Sequence, residues 1–337
     1  MHQRSAWIWV FTGAALLLAL LSLCAGSVPV HPAELLAALR GAGPSTVQII
    51  LWQVRLPEVL TAALAGAGLA TSGLVMQTVF RNPLAGPSVL GVSSGASLGV
   101  ALVLLAGPAW MPLPLPAEAM AILAALGGAL AVLLLITAMD RRVGGATTLL
   151  IMGLMVGYLC GAVVSVLQSL SGALALKGFV QWGMGSFAGL DLGRTAWFAP
   201  PVLAGVCASL WLVKPLNGLL LGEEYARSLG VDVHRTRRAA IGITGLLAGT
   251  ITAFCGPIAF LGLATPHVAR ACVRTNDHRV LLPASAALGA ALGLGCDLVV
   301  RTVGAERAVP LNAVTSLLGA PVVLWVLLRG RRWSPID

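Results

Sequence analysis

Two stretches of the 337-residue chain set reactive side chains inside otherwise apolar sequence. In the first, Ser285, Gly289, Gly293, Asp297 and Arg301 recur every four residues and so share one face of a helix. An acid in such a setting can relay protons. A cation one turn away can pair with it instead, and the structural pair is the favoured reading. In the second, His267 directly follows Pro266 and precedes Arg270 by three residues. A satisfied histidine at a helix break explains it better than metal ligation. Nucleotide chemistry finds no loop: Gly91-Val92-Ser93-Ser94-Gly95 lacks the lysine that a phosphate cradle needs. There is no HExxH, no CxxC and no cluster of His, Cys and carboxylates at ligand spacing. The chain is therefore expected to hold no metal or cofactor and to be no enzyme.

The most informative polar stretch is 214–238. Within it, Leu221-Gly222 leads into Glu223-Glu224-Tyr225-Ala226-Arg227-Ser228-Leu229-Gly230. Glycines bracket a short helix, and the two acids sit in its first turn, where the helix dipole favours them. Tyr225 and Leu229 fall on one face, with Glu223, Glu224 and Arg227 largely on others. Such an amphipathic helix can dock into a groove of a partner. Lying on lipid is the alternative, but two adjacent acids suit an anionic leaflet poorly.

The elements that must carry these groups follow from composition. Lys and Arg number 21 and Asp and Glu 12, so 10% of residues are charged, while 58% are apolar and mean hydropathy is +0.93. A soluble domain carries about 25% charged residues. The composition excludes a disordered chain, a nucleic-acid binder and an ordinary soluble enzyme. A spanning helix needs roughly 20 apolar residues. Runs near that length fall at 7–27, 58–79, 88–109, 117–139, 146–170, 195–213, 239–255, 281–300 and 310–328, with a shorter tenth at 257–271. The first could be a signal peptide, but its core is too long for one and it reads as a membrane helix. Residues 28–57 read as the longest stretch outside the membrane. The expectation is an all-α polytopic membrane protein of about ten helices in one domain.

With ten crossings, 15 of the 21 basic residues fall in inner loops and 6 in outer ones. This bias puts both termini in the cytoplasm. Trp7, Trp52, Trp110, Trp197, Trp211 and Trp325 sit near segment ends, as an aromatic belt does. The net charge of +9 then reports orientation and not nucleic acid. Glycine is abundant, at 40 residues, and small residues let membrane helices approach closely. A weak internal echo relates Phe80-Arg81-Asn82-Pro83-Leu84-Ala85 to Phe254-Cys255-Gly256-Pro257-Ile258-Ala259. The first follows a helix running inward and the second one running outward, the pattern of an inverted repeat. Chance or two Pro-terminated helices explain it nearly as well.

Several longer motifs resemble one family, the permease subunits of ATP-binding-cassette importers for iron complexes and vitamin B12. They are Arg55-Leu56-Pro57; Gly73 through Ala85, with Gln77, Arg81, Asn82 and Pro83; and Leu90 through Ala96, with Gly91, Ser94 and Gly95. Trp182-Gly183-Met184-Gly185-Ser186, the segment Gly222 through Gly230, Gly256 through Leu263 with Pro257, Pro266-His267 with Arg270, and Gly319-Ala320-Pro321 complete the likeness. It covers about residues 50 to 328.

The resemblance implies the architecture of a type II importer permease, a homodimer with the pathway on its two-fold axis. It also implies a bacterial cytoplasmic-membrane location. Two copies of a separate ATPase, which carries the ATP and magnesium, would dock on 221–230. An extracytoplasmic binding protein would deliver the substrate, with Arg55 and Arg301 as arginines of the docking rim. Arg301 would then serve both Asp297 and that partner. Glu58 departs from a usual arginine and reverses a rim charge. Ala308 stands where an acid is common, with Glu306 displaced, and Asn312 replaces a usual glycine. The expected cargo is an intact ferric siderophore or haem, with vitamin B12 as the alternative. An ion-gradient-driven transporter is the competing class. It should carry unpaired acids or histidines in its spans, and Asp297 is the one clear candidate.

Overall fold

Backbone in lipid has no water to bond to, so a chain this apolar must close its hydrogen bonds within helices. The computed structural model describes residues 2–26, 30–42, 44–106, 116–140, 142, 145–303 and 309–329. Among them the elements are all helical. Helix α1 is His2–Cys24, α2 Pro32–Leu39 and α3 Ser45–Ile49; a π-helical stretch, Ile50–Arg55, leads directly into α4, Leu56–Val79. Then come α5, Val92–Leu104; α6, Ala117–Asp140; α7, Ala146–Leu170; and α8, Ala173–Gly183. Helices α9, Leu192–Trp211, α10, Val213–Leu220, and α11, Glu223–Ser228, are followed by α12, Val233–Cys255. The series ends with α13, Leu261–Val273, α14, His278–Val303, and α15, Leu311–Arg329. Arg141, Trp110, Glu306, Arg307, Ala308, Arg331 and Arg332 lie outside the described residues.

Each of the ten apolar segments contains a helix, and among the described residues six helices are long and apolar enough to cross a membrane. A seventh comes from α9 with α10, which meet at a bend of 54°. Helices α5 and α13 are 13 residues each, too short for an untilted span.

Three boundaries differ from the sequence reading. Residues 28–57 are not a loop: α2 and α3 lie there, and the second span runs unbroken over Thr46–Val79. Pro57 stands in the first turn of α4, where a missing N–H is tolerated, and the π stretch before it joins α3 to α4 without a break. Residues 214–238 are largely helical too. Asp232 caps α12 by accepting from the Arg235 N–H at 2.9 Å, so Arg235, Arg237 and Arg238 enter the helix. Helix α8 escaped notice because its 11 residues include Lys177 and cannot span.

At the centre, α4 is buried along most of its length, packed by α14, α13, α12 and α9. Glycine makes these approaches close. The stripe on α14 does what its spacing suggests: a methyl on Gly289 would overlap the Gly66 carbonyl oxygen of α4. A methyl on Gly73 of α4 would likewise overlap the Gly262 carbonyl oxygen of α13. We expect Gly73→Ala to destabilise the chain by about 1–3 kcal/mol, as overpacking does. Gly127, with nothing within 4 Å of an added methyl, should accept Ala at no cost. Thermal unfolding of the two variants in detergent separates these outcomes.

Candidate functional site

Helix α11 has glycines in the left-handed region on both sides, Gly222 at φ +108° and Gly230 at φ +81°. The chain therefore turns sharply into and out of six residues that project from the end of the bundle, hereafter the α11 end. Ala226 is buried under it, while Leu221, Glu224, Tyr225, Arg227, Ser228 and Leu229 are exposed. Glu223 is not a surface acid. It accepts from Arg237 of α12 at 2.7 Å and pairs with Arg227 at 3.4 Å. A groove of about 620 Å³ beside α11 includes Lys214, Leu221, Leu229 and Arg235 in its lining. On the other side, an open cleft of about 1330 Å³ runs between α11 and the ends of α4 and α13. Arg81, Glu223, Glu224, Arg227 and Arg270 stand along it.

Four of the family-motif residues, Gln77, Arg81, Pro83 and Arg270, line that cleft. Arg270 donates to Gln77 Oε1 at 2.8 Å, and Gln77 Nε2 donates to the Leu263 carbonyl at 3.0 Å. His267 Nε2 stands 2.8 Å from the Pro83 carbonyl, so that nitrogen carries the proton and donates. His267 is thus a structural histidine tying α13 to the turn after α4, and among the described residues there is no metal-binding group of His, Cys, Asp and Glu. Pro266 lies within α13. Asn82 closes its turn by accepting the Leu84 N–H at 2.9 Å, and Arg81 has φ +45° there. A second polar chain runs beside it. Thr78 reaches His278 at 2.8 Å, His278 Nδ1 reaches Asn217 Oδ1 at 2.8 Å, and Asn217 donates to Asp277 at 2.7 Å. Partial burial works against ionising Asp277, yet the Arg279 N–H and the Asn217 amide hold its carboxyl below the usual range.

The echoed Phe…Pro segments differ in backbone, since Phe254 lies inside α12 and Phe80 follows α4, but each holds its proline carbonyl with a distant side chain. Just as the Pro83 carbonyl is held by His267, the Pro257 carbonyl accepts from Asn312 Nδ2 at 2.7 Å. Asn312 also donates to the Gly183 carbonyl at 3.1 Å and accepts the Ala259 N–H at 2.9 Å. One side chain thereby joins α15 to the end of α8 and to the α12–α13 turn. A glycine there could do none of this. Gly185 and Gly256, both at positive φ, pack in the same corner, where a methyl on Gly256 would overlap the Trp182 carbonyl. Gly91 starts α5 at φ +76°. Gly95 lies against Gly128 of α6, and Ser94 lies beside Gly157 of α7. Pro321 stands exposed within α15.

At the opposite end the two arginines expected at the rim are largely turned into the subunit. Arg55 is 4% exposed and caps α1, donating to the carbonyls of Leu23 at 2.6 Å and Cys24 at 3.0 Å. Arg301 pairs with Asp297, with Glu58 at 3.2 Å and with the Ser22 carbonyl at 3.2 Å. Both head groups turn inward because four ends converge there: the C-termini of α1 and α14, the π stretch and the start of α4. Glu58 is therefore not a reversed rim charge but a buried partner of Arg301. Of the basic groups at this end, Lys177 is exposed and the half-buried Arg194 pairs with Glu118.

Sequence reasoning missed Asp140, Arg237, Asn217 and His278. A usable signal was present for the first two: an acid closing one apolar helix and an arginine opening another.

Comparison with known proteins comes down on one side. A profile described as the FecCD transport family matches residues 14–329. The vitamin B12 import system permease protein BtuC of Klebsiella pneumoniae subsp. pneumoniae is 38% identical over 333 residues, 98% of this chain and 96% of that one. Its namesake in Escherichia coli O9:H4 is 39% identical over 334 residues, 98% and 97% of the two chains. A solved ABC transporter described as metal-chelate type, in an inward-facing conformation, superposes with TM-score 0.84 at 30% identity, covering 96% of this chain and 98% of that one.

Proposed function

The chain belongs to the FecCD transport family and is an ATP-binding-cassette importer permease, and we propose that its cargo is a corrinoid such as vitamin B12. The observation that carries this reading is the near-complete alignment with permeases named for vitamin B12 import, at 38–39% identity. The motifs alone put a ferric siderophore or haem first, and that reading now stands second. It keeps support from the metal-chelate transporter at 30% identity.

In this reading the α11 end faces the cytoplasm. Each subunit of a homodimer offers α11 to one copy of a separate ATPase, and a binding protein delivers cargo at the opposite end. Exposed Leu221, Tyr225 and Leu229 supply an apolar contact, and Arg227 and Glu224 a polar rim. Closure of the ATPase pair displaces α11, and the helices alternate access to the pathway. Asp297 speaks against a proton-coupled carrier, since its carboxylate is engaged by Arg301.

Two measurements follow. The purified chain alone should show no ATP hydrolysis above a protein-free control, and turnover that survives repurification would refute the subunit assignment. In bacteria lacking their own corrinoid permease, this chain with its ATPase and binding protein should restore uptake of labelled cyanocobalamin. Restored ferric siderophore uptake in its place would transfer the assignment to the second reading.

A further inference from the structure

We propose that the buried ion cluster of Asp140, Glu223 and Arg237 is a latch that transmits movement of α11 into α6, making Arg237 a positioning residue for transport. The inference rests on the reading of α11 as the ATPase dock. Helix α11 is too short to hold itself, and flexible glycines flank it on both sides. Displacement therefore passes through side chains more than through the backbone. By packing, α11 rests on α10 and α12. Helix α12 packs directly on α6, and among the described residues one of its side chains pairs with acids of both α11 and α6.

That side chain is Arg237, 2% exposed at the start of α12. Its guanidinium lies between two acids on two other helices. NH2 bonds Glu223 of α11 at 2.7 Å, and NH1 faces Asp140, the last residue of α6, at 3.5 Å. The Asp140 carboxylate is wholly buried, and Arg238 Nε approaches its other oxygen at 3.4 Å. A planar fork between two carboxylates is stiff and directional in a way an apolar contact is not. Around the wholly buried Asp140 carboxylate the attraction is strong, and losing Arg237 leaves that acid with the partly exposed Arg238 alone.

The two halves of the latch are unequal. On the α11 side the bond is short. On the α6 side, Asp140 Oδ1 and Arg237 NH1 have no hydrogen-bond partner among the described residues, although they face each other. The cluster can thus tighten when α11 is pressed toward the bundle, closing the 3.5 Å gap to a hydrogen bond. Helix α6 packs along α5, and α5 against α7, so the push arrives at the face of the bundle opposite α14 without α11 touching it.

The test uses the full chain with its ATPase and binding protein in liposomes, with labelled cyanocobalamin as probe. The main variant is the double change Asp140→Asn with Arg237→Gln, which breaks the tie without leaving either member of that pair charged. We expect the ATPase to stay bound and to turn over within about twofold, while cobalamin carried per ATP falls on the order of tenfold. Arg237→Lys, which keeps the charge but cannot fork, should restore part of the coupling. It also replaces the double variant if that one fails to fold. A second readout needs no cargo: spin labels at Ser228→Cys and Ala138→Cys, both exposed positions, in a chain freed of its six cysteines. With the latch intact, nucleotide should change the distance between labels by no more than the closing of the Asp140–Arg237 gap and leave it narrow; in the double variant, nucleotide should shift it further or broaden it. Unchanged cobalamin per ATP, label distances that respond alike in both chains, or loss of ATPase binding would each overturn the latch. Failure of the unsubstituted importer to take up cobalamin would count against the corrinoid reading alone, and the label distances would then decide the latch.

Discussion

Tyr225→Asp, and separately Leu229→Asp, will weaken the hold of the partner ATPase on this permease by about thirtyfold, the effect of losing one interface hot spot of about 2 kcal/mol. Both side chains are more than half exposed, at 55% and 58%, on a helix whose inner face, at Ala226, is already buried. Among the described residues, the ion pairs that tie α11 down run from Glu223, to Arg237 and Arg227, and not from Tyr225 or Leu229. The permease should therefore keep its unfolding temperature while its affinity for the ATPase drops. Titrating purified ATPase against the detergent-solubilised variants measures this, and an unchanged affinity would remove α11 from the interface. Arg227→Ala should do much less, because an exposed pair such as Arg227–Glu223 contributes about 0–1 kcal/mol.

The second large effect is at the other end. Arg301→Met leaves Glu58 and Asp297, both nearly inaccessible, without their shared cation. Breaking a buried ion cluster by removing one partner costs about 3–5 kcal/mol. We expect the variant to lose much of its folded yield and unfold at a markedly lower temperature. The triple neutral change Glu58→Gln, Asp297→Asn and Arg301→Met should regain most of that loss, since isosteric uncharged groups need no counter-ion. A pure rim role for Arg301 predicts otherwise: normal stability in the single variant and reduced affinity for the binding protein.

That contrast shows how far the sequence could be read. Spans such as α6 and α7 were legible because a bilayer demands long apolar runs and nothing else makes them. The helical stretch ahead of α4 was not, because Pro57 marks the start of α4 and only a π distortion, which has no compositional signature, joins α3 to it. The short helix at 223–228 was legible from its bracketing glycines and leading acids. What its acids touch was not, because Arg237 becomes the partner of Glu223 only when α12 is extended back to Val233 by the Asp232 cap. Motif likeness singled out Arg55 and Arg301 together, and the structure places both beside the end of α1. It could not say which way they point, and that depends on the carbonyls that α1 leaves open beside them. Glu58 read as a missing rim charge for the same reason.

The central claim is that this permease moves a corrinoid on the energy of a partner's ATP through α11. Liposomes holding the chain and its ATPase, with binding protein and labelled cyanocobalamin at the opposite face, test it most directly. The account predicts accumulation that requires ATP, is lost with Tyr225→Asp and is indifferent to a protonophore. Accumulation by the chain alone, driven by a proton gradient and untouched by ATP, would contradict it.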